Sequence, residues 1–286
     1  MPRNTLEADW YDYPQYYDLA FQSETMPEAG FIEAACRKYC TGEVRRLLEP
    51  ACGTGRLVTE LAARGYQLVG LDLSKPSLAY LRRRLARRRL RAEILCADMS
   101  DFVLETPVDA AYNTFDGFRH LLSEEAALSH LRSVARCLRP GGIYLLGFHL
   151  LPLDADEECT ERWSESRGQT KVTVTLRVLE TDRRQRLEKL RVCLLIRSGK
   201  KELRLRHEFL FRMYTADQFR QLLGKVPELE LCDVYDFWYD IDDPLDLDDE
   251  ISDTVFVLRR ADEEKLPVGH TNGAGRSMRV RTRTQQ

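Results

Sequence analysis

The sequence predicts a doubly wound, mostly parallel α/β sheet of about seven strands carrying an antiparallel β insertion. Three observations lead there. From Val44 to Phe148 short apolar runs alternate with amphipathic stretches; each run is bounded by turn residues; and after Pro152 that alternation gives way to long β-branched and charged stretches. Alternation of the first kind marks repeated βα units, since a parallel sheet buries both faces under helices.

Taken in order, the expected parallel strands are Val44 to Glu49, Gln67 to Asp72, Ala92 to Ala97, Val108 to Asn113 and Gly142 to Phe148. Helices fit between them at Gly55 to Arg64, Lys75 to Arg89 and Glu124 to Leu138, the last opened by Ser123 as N-cap and closed by Pro140 and Gly141. Beyond Pro152, the stretches Thr170 to Glu180, Leu187 to Ile196 and Glu202 to Met213 read as antiparallel strands. Thr215 caps a helix through Leu223, and Glu228 to Tyr239 and Thr254 to Arg259 complete the main sheet. The expected organisation is an N-terminal lid and helix region at 1–43, a core at 44–151 and 214–260, an insertion at 152–213, and a polar basic tail at 261–286 whose composition predicts disorder.

Composition narrows the function. Lys and Arg number 43 against 46 Asp and Glu, for a formal charge of −3, so no global field favours nucleic acid or a membrane surface. The eight cysteines are scattered, without a Cys-x-x-Cys pair, as expected of reduced thiols in a cytoplasmic protein. Cys36 and Cys40 are half a metal site at most, and no metal is expected. No apolar segment has the length of a signal peptide or a membrane span.

The chemistry concentrates at strand ends. Leu47-Leu48-Glu49-Pro50-Ala51-Cys52-Gly53-Thr54-Gly55-Arg56 is a strand running through a small-residue turn into a helix. Glycines there let a ligand approach the backbone, and unpaired amides at the helix start favour an anion. Asp72, about twenty residues on, stands where an acid can accept both hydroxyls of an adenosine ribose, with Leu73 beside it. Cys96-Ala97-Asp98-Met99 ends the next strand, where Asp98 suits an adenine amino group and Met99 its ring. Tyr112-Asn113-Thr114-Phe115-Asp116 ends the central one.

In order and spacing, the run from Glu49 to Gly142 resembles the class I S-adenosylmethionine-dependent methyltransferases. The opening Tyr13-Pro14-Gln15-Tyr16-Tyr17-Asp18 and the insertion further resemble small-molecule N-methyltransferases of that family. The resemblance implies S-adenosyl-L-methionine as cofactor. It implies that Glu49, Ala51, Gly53, Gly55 and Arg56 border the methionine portion, that Asp72 and Leu73 hold the ribose, that Asp98 and Met99 frame the adenine, and that Asn113 adjoins the sulfonium. The missing third glycine after Gly55 argues against a nicotinamide dehydrogenase.

Methyl transfer needs alignment and dryness, not a covalent residue. Tyr11, Tyr13, Tyr16 and Tyr17 suit a lid over a cationic sulfonium, or an anchor for the first helix; Tyr17 is the lid candidate of choice. His120 and His149, with Asp116 and Arg119, lie where an acceptor would be bound or deprotonated. The expected acceptor is a small molecule, an amine or a hydroxyl. RNA or protein methylation and a silent cofactor-binding module stay open. The run Arg82 to Arg89 suggests nucleic acid only superficially, because Leu78, Leu81 and Leu85 define a buried stripe and leave the arginines as a solvated face. The acidic stretch Asp240 to Glu250 is expected to be a solvated loop.

Overall fold

The computed structural model describes residues 5–152 and 159–261. Its centre is a seven-stranded sheet of β2 (Arg46–Pro50), β3 (Gln67–Asp72), β4 (Glu93–Cys96), β5 (Val108–Asn113), β6 (Leu138–His149), β11 (Leu229–Tyr235) and β12 (Asp253–Arg260). The spatial order is β11-β12-β6-β5-β2-β3-β4, with β12 antiparallel to both neighbours and the rest parallel. From β2 the chain winds outward to β3 and β4, then returns to build β5 and β6 on the other side. The strand order therefore reverses at β2, the place where open α/β sheets bind ligands.

Two apolar layers cover this sheet. On one face α2 (Thr25–Tyr39), α3 (Arg56–Ala63) and α4 (Lys75–Arg88) pack through Ile32, Leu57, Leu61, Leu78 and Leu81; on the other α5 (Glu124–Cys137) and α6 (Ala216–Leu223) pack through Leu131, Val134, Phe219 and Leu222. Ala110 and Tyr112 of β5 face one layer and Ala111 the other, as the period of a strand requires, while a register shift between Val108 and Ala110 turns Val108 to the side of Ala111. The helix starts follow the expected chemistry: Ser74 accepts Ser77 N–H at 3.2 Å, Ser123 accepts Ala126 N–H at 3.2 Å, and Thr215 with Gln218 forms a reciprocal capping box.

A second, five-stranded sheet has the order β1-β10-β9-β8-β7, from β1 (Leu6–Glu7), β7 (Thr160–Arg167), β8 (Thr170–Asp182), β9 (Leu187–Ser198) and β10 (Lys201–Arg212). Two of its strands fall outside the expected set. β7 alternates Glu, Arg and Ser around a single inward Trp163, so it lacks the apolar pattern of a strand, and its charge suits its place at the sheet edge. β1 pairs in parallel with β10, so the N-terminal region joins the insertion instead of standing apart. Trp10, α1 (Pro14–Ala20) and one face of this sheet share a third core with Leu19, Val172, Val174, Val192, Leu194 and Leu205.

Leu78, Leu81 and Leu85 are buried and Arg82, Arg83, Arg87, Arg88 and Arg89 are exposed, the expected solvated face of α4, with Arg84 the half-buried exception. Arg84 pairs with Asp18, itself 1% exposed, while Arg88 approaches Glu60 at 3.8 Å and Arg82 donates to Ile94 O at 3.2 Å. Asp18 also accepts from Tyr80 Oη at 3.2 Å, so Arg84 and Tyr80 anchor α1 to α4. The eight cysteines are free thiols, and among the described residues no helix is long and apolar enough to cross a membrane. The basic tail from 262 onward lies outside the described residues.

Candidate active site

A cavity of about 1190 Å³ lies at the carboxyl ends of the parallel strands and is roofed by the N-terminal segment and the second sheet. Glu49, Ala51, Gly53, Arg56, Asp72, Leu73, Met99 and Asn113 line it, as do Tyr11, Tyr17, Asp116, Arg119, His120 and His149. Gly55 and Asp98 do not.

The turn after β2 sets the floor. Ala51, Gly53 and Gly55 have φ of 53°, 50° and 66°, all left-handed, which folds the backbone tightly before α3 begins. The two glycines serve different ends. A Cβ on Gly53 would meet nothing within 4 Å and would project into open space, whereas one on Gly55 would overlap the Leu81 side chain. Gly53 keeps the backbone accessible; Gly55 lets α3 close on α4.

Asp72 spans the turn. Its Oδ2 accepts Gly53 N–H at 2.7 Å and its Oδ1 accepts Ser74 N–H at 2.7 Å, leaving further lone pairs for a ligand. Burial raises its pKa, and these amides act in the opposite sense. Glu49 is more enclosed: Oε2 accepts Val58 N–H and Tyr112 Oη, both at 3.1 Å, and burial pushes its pKa up to about 8. Arg56 is committed to Glu28, with Nη2 at 2.7 and 3.0 Å from the two carboxylate oxygens, and Thr114 Oγ1 donates to the same acid at 2.8 Å. The helix amides, more than this neutralised arginine, therefore offer positive potential at the floor. Asn113 donates through Nδ2 to Pro50 O at 2.9 Å, tying β5 to β2.

At the end of β4, Ala97 and Met99 reach the cavity while Asp98 is exposed and accepts Ser100 N–H at 2.7 Å, closing a turn. Met99 is held from behind, because His130 Nδ1 bonds its carbonyl at 2.8 Å and Nε2 bonds Tyr144 Oη at 2.8 Å. Burial lowers the His130 pKa to about 4, so this imidazole is a neutral strut.

At the far end, Tyr11 Oη meets His120 Nε2 at 2.9 Å, and burial lowers the His120 pKa to about 4. Asp116 bonds His149 twice, at the backbone N–H and at Nδ1. Arg119 lies between Asp116, at 3.5 Å, and Glu188, with which it forms a buried ion pair. Of the four N-terminal tyrosines, Tyr11 and Tyr17 line the cavity, whereas Tyr13 and Tyr16 stack on one another with centroids 6.4 Å apart. Burial raises the Tyr17 pKa well beyond the ordinary phenol value, so it presents a neutral ring. The second sheet supplies Trp163, Glu188, Leu190, Phe209 and Phe211 to the wall. Sequence reasoning missed these residues because only the fold brings β7, β9 and β10 across from β5; the alternation of β9, with Glu188 and Leu190 on its inward face, was the one available signal.

Residues 47–142 match the family model of the methyltransferase domain. The chain is 31% identical over 130 residues to the cypemycin N-terminal methyltransferase of a Streptomyces species, covering 46% of this chain and 51% of that one. It is 30% identical over 138 residues to the dTDP-3-amino-3,4,6-trideoxy-α-D-glucopyranose N,N-dimethyltransferase of Streptomyces venezuelae, covering 47% and 56%. The chain thus spans little more than half the length of the curated relatives it matches, 51 to 58%. A solved S-adenosylmethionine-dependent methyltransferase from Clostridium acetobutylicum superposes with a TM-score of 0.72 over 88% of this chain and 99% of its own, at 16% identity. The chain has the Rossmann-like fold of the S-adenosylmethionine-dependent methyltransferases.

Proposed function

We propose that this protein binds S-adenosyl-L-methionine and transfers its methyl group, by in-line displacement, to a small-molecule amine. The observation that carries the reading is one continuous cavity joining the bare backbone at Gly53 and the carboxylate of Asp72 to a second compartment walled by Trp163, Leu190 and Phe211. Its volume of about 1190 Å³ slightly exceeds the roughly 300 to 1,000 Å³ of single-ligand pockets, as befits a site for two reactants.

The residues present fit the cofactor. The open space at Gly53, which a Cβ would fill, admits the methionine portion against the backbone. Asp72 has lone pairs left for the ribose hydroxyls, and Ala97 and Met99 offer an apolar surface to the adenine. When bound, the sulfonium supplies an electrophilic methyl carbon. The chain orients the acceptor, excludes water and surrounds the positive charge with aromatic rings, Tyr17 and Phe115 among them.

An amine acceptor suits the second compartment, where Asp9, Asp116, Glu161, Glu188 and Asp253 outnumber the cation Arg119. The Streptomyces venezuelae relative is named for an amino sugar, which supports the same class. A cytoplasmic location agrees with the eight free thiols.

The test combines calorimetry with label transfer. Heat should be observed with S-adenosylmethionine and with S-adenosylhomocysteine, and methyl label should pass into primary amino sugars, the dTDP-linked 3-amino sugar among them, in preference to RNA or protein. Absence of heat with both nucleosides would refute the cofactor assignment; label confined to RNA or protein would refute the acceptor.

A further inference from the structure

The cavity holds two histidines with opposite engagements. His120 has its Nε2 bonded to Tyr11 Oη at 2.9 Å and is packed edge-on against Phe211, with centroids 4.8 Å apart. Burial lowers its pKa to about 4, which makes it a weak proton acceptor. His149, the last residue of β6, is held differently. Asp116 accepts its backbone N–H through Oδ1 at 3.0 Å and its Nδ1 through Oδ2 at 2.7 Å. The Asp116 backbone has φ of 51°, an unfavourable setting for a residue with a Cβ, and it adopts this while its own N–H bonds Gly147 O at 3.0 Å.

A carboxylate only accepts, so the proton of a neutral His149 resides on Nδ1 and the lone pair on Nε2. Burial alone would raise the pKa of Asp116, but the charges of His149 and Arg119 outweigh it and keep Asp116 ionised. Phe115 and Phe237 flank the imidazole edge-on, with centroids at 5.7 and 4.9 Å, and fix its plane. Asp253, about half exposed at the start of β12, has Oδ1 3.6 Å from Nε2, too far to occupy it as a hydrogen bond.

We propose, on the basis of the methyl-transfer reading above, that His149 Nε2 is the proton acceptor for the incoming ammonium and that Asp116 is its positioning residue. The ammonium N–H bond breaks and its proton goes to Nε2, giving an imidazolium paired with Asp116. The freed nitrogen lone pair then forms the bond to the methyl carbon as the carbon–sulfur bond breaks, its electron pair leaving with the thioether sulfur. Asp253 at the rim offers the proton a way out to water.

The charged groups facing His149 are Asp116 and Arg119, from the segment after β5, and Asp253 of β12. Burial disfavours the imidazolium, yet Asp116 outweighs it and the pKa is raised. The working form is neutral, so activity rises with pH through this pKa. Asp116→Asn lowers the pKa and moves the acidic limb of the kcat/KM profile to lower pH.

The test follows wild type, His149→Asn and Asp116→Asn in three measurements: binding of S-adenosylhomocysteine, histidine NMR titration, and methylation of whichever amino sugar in the panel the wild type turns over fastest. Binding should remain within about threefold in all three proteins. The His149 resonance, identified by its loss in His149→Asn, should titrate at lower pH in Asp116→Asn. His149→Asn should lose about 10²- to 10⁴-fold in kcat near neutral pH and recover as the pH approaches the pKa of the acceptor amine, a rescue that a structural role would not give. If wild type methylates amines and His149→Asn does so within threefold, or if Asp116→Asn leaves the titration unmoved, this proposal is overturned and the methyl-transfer reading stands. If wild type binds the nucleoside and methylates no amine, both fall.

Discussion

The carboxylate of Asp72 accepts the amide of Gly53 at 2.7 Å, so the acid at the end of β3 and the open turn after β2 form one rigid unit. The acid thereby has two tasks, bracing the turn and holding a ligand through its remaining lone pairs.

Asp72→Ala should therefore weaken S-adenosylmethionine binding by about 1 to 3 kcal/mol, roughly 5- to 150-fold, from the lost charge-assisted contacts. Asp72→Asn, which keeps one acceptor oxygen, should lose less. Calorimetry on folded variants, checked by circular dichroism, reads the effect; unchanged affinity in Asp72→Ala would remove Asp72 from the site.

The neighbouring glycines should separate binding from stability. Gly53→Ala places a methyl group in open space at a left-handed residue, so it should cost about 1 kcal/mol in folding while impairing binding more than tenfold. Gly55→Ala drives a Cβ into Leu81 and should cost about 1 to 3 kcal/mol more in folding, part of it recovered by Leu81→Ala. Urea midpoints and calorimetry on the same samples distinguish the two, and equal stability losses would contradict the division of roles.

The contrast also shows what the residues reveal on their own. The succession of strands and helices and the carboxyl ends of β2, β3 and β5 were legible, because apolar runs and capping residues such as Ser123 and Thr215 are local signals, whereas the spatial order of the strands was not read from them. The difference between Gly53 and Gly55 was not, since it depends on Leu81, which lies far along the chain. Asp98 follows the expected spacing, yet its carboxylate folds back on Ser100 and it does not line the cavity. The acceptor wall was hidden for a related reason. Trp163 sits in a polar edge strand, and Phe209 and Phe211 face the site only because β10 crosses over the carboxyl end of β5.

Glu49 predicts a pH dependence of stability. Burial raises its folded-state pKa from 4.5 to about 8, so the folded protein retains a proton that the unfolded chain releases. A raised pKa gives a contribution fully present below about 4.5 and lost as pH climbs through about 8, on the order of 1.4 kcal/mol per pH unit between. Glu49→Gln imitates the protonated acid and should remove this slope. Glu28 and Asp72 are also raised by burial, so the difference between the wild-type and Glu49→Gln urea curves from pH 5 to 9, not either curve alone, isolates Glu49. Parallel curves would place the proton elsewhere.

The buried pair of Arg119 and Glu188 ties the segment after β5 to β9, and with it the second sheet to the first. Arg119 also donates to Arg212 O at 3.2 Å and lies over the Phe211 ring, 4.7 Å from its centroid, so one guanidinium organises three parts of the cavity wall. Removing Glu188 leaves that cation buried with Asp116 at 3.5 Å as its remaining acid, and Asp116 is already engaged by His149. Glu188→Ala should cost about 3 to 5 kcal/mol, because an unpaired buried charge keeps its desolvation penalty and loses its attraction. Glu188→Gln retains a hydrogen-bond acceptor and should cost less. Arg119→Met with Glu188→Leu removes both charges and fills similar volume, so it should recover most of the loss. A double-mutant cycle by urea denaturation gives the coupling directly. Coupling under about 0.5 kcal/mol would mean that the apolar contacts of β9 and β10, not this ion pair, hold the roof of the cavity in place.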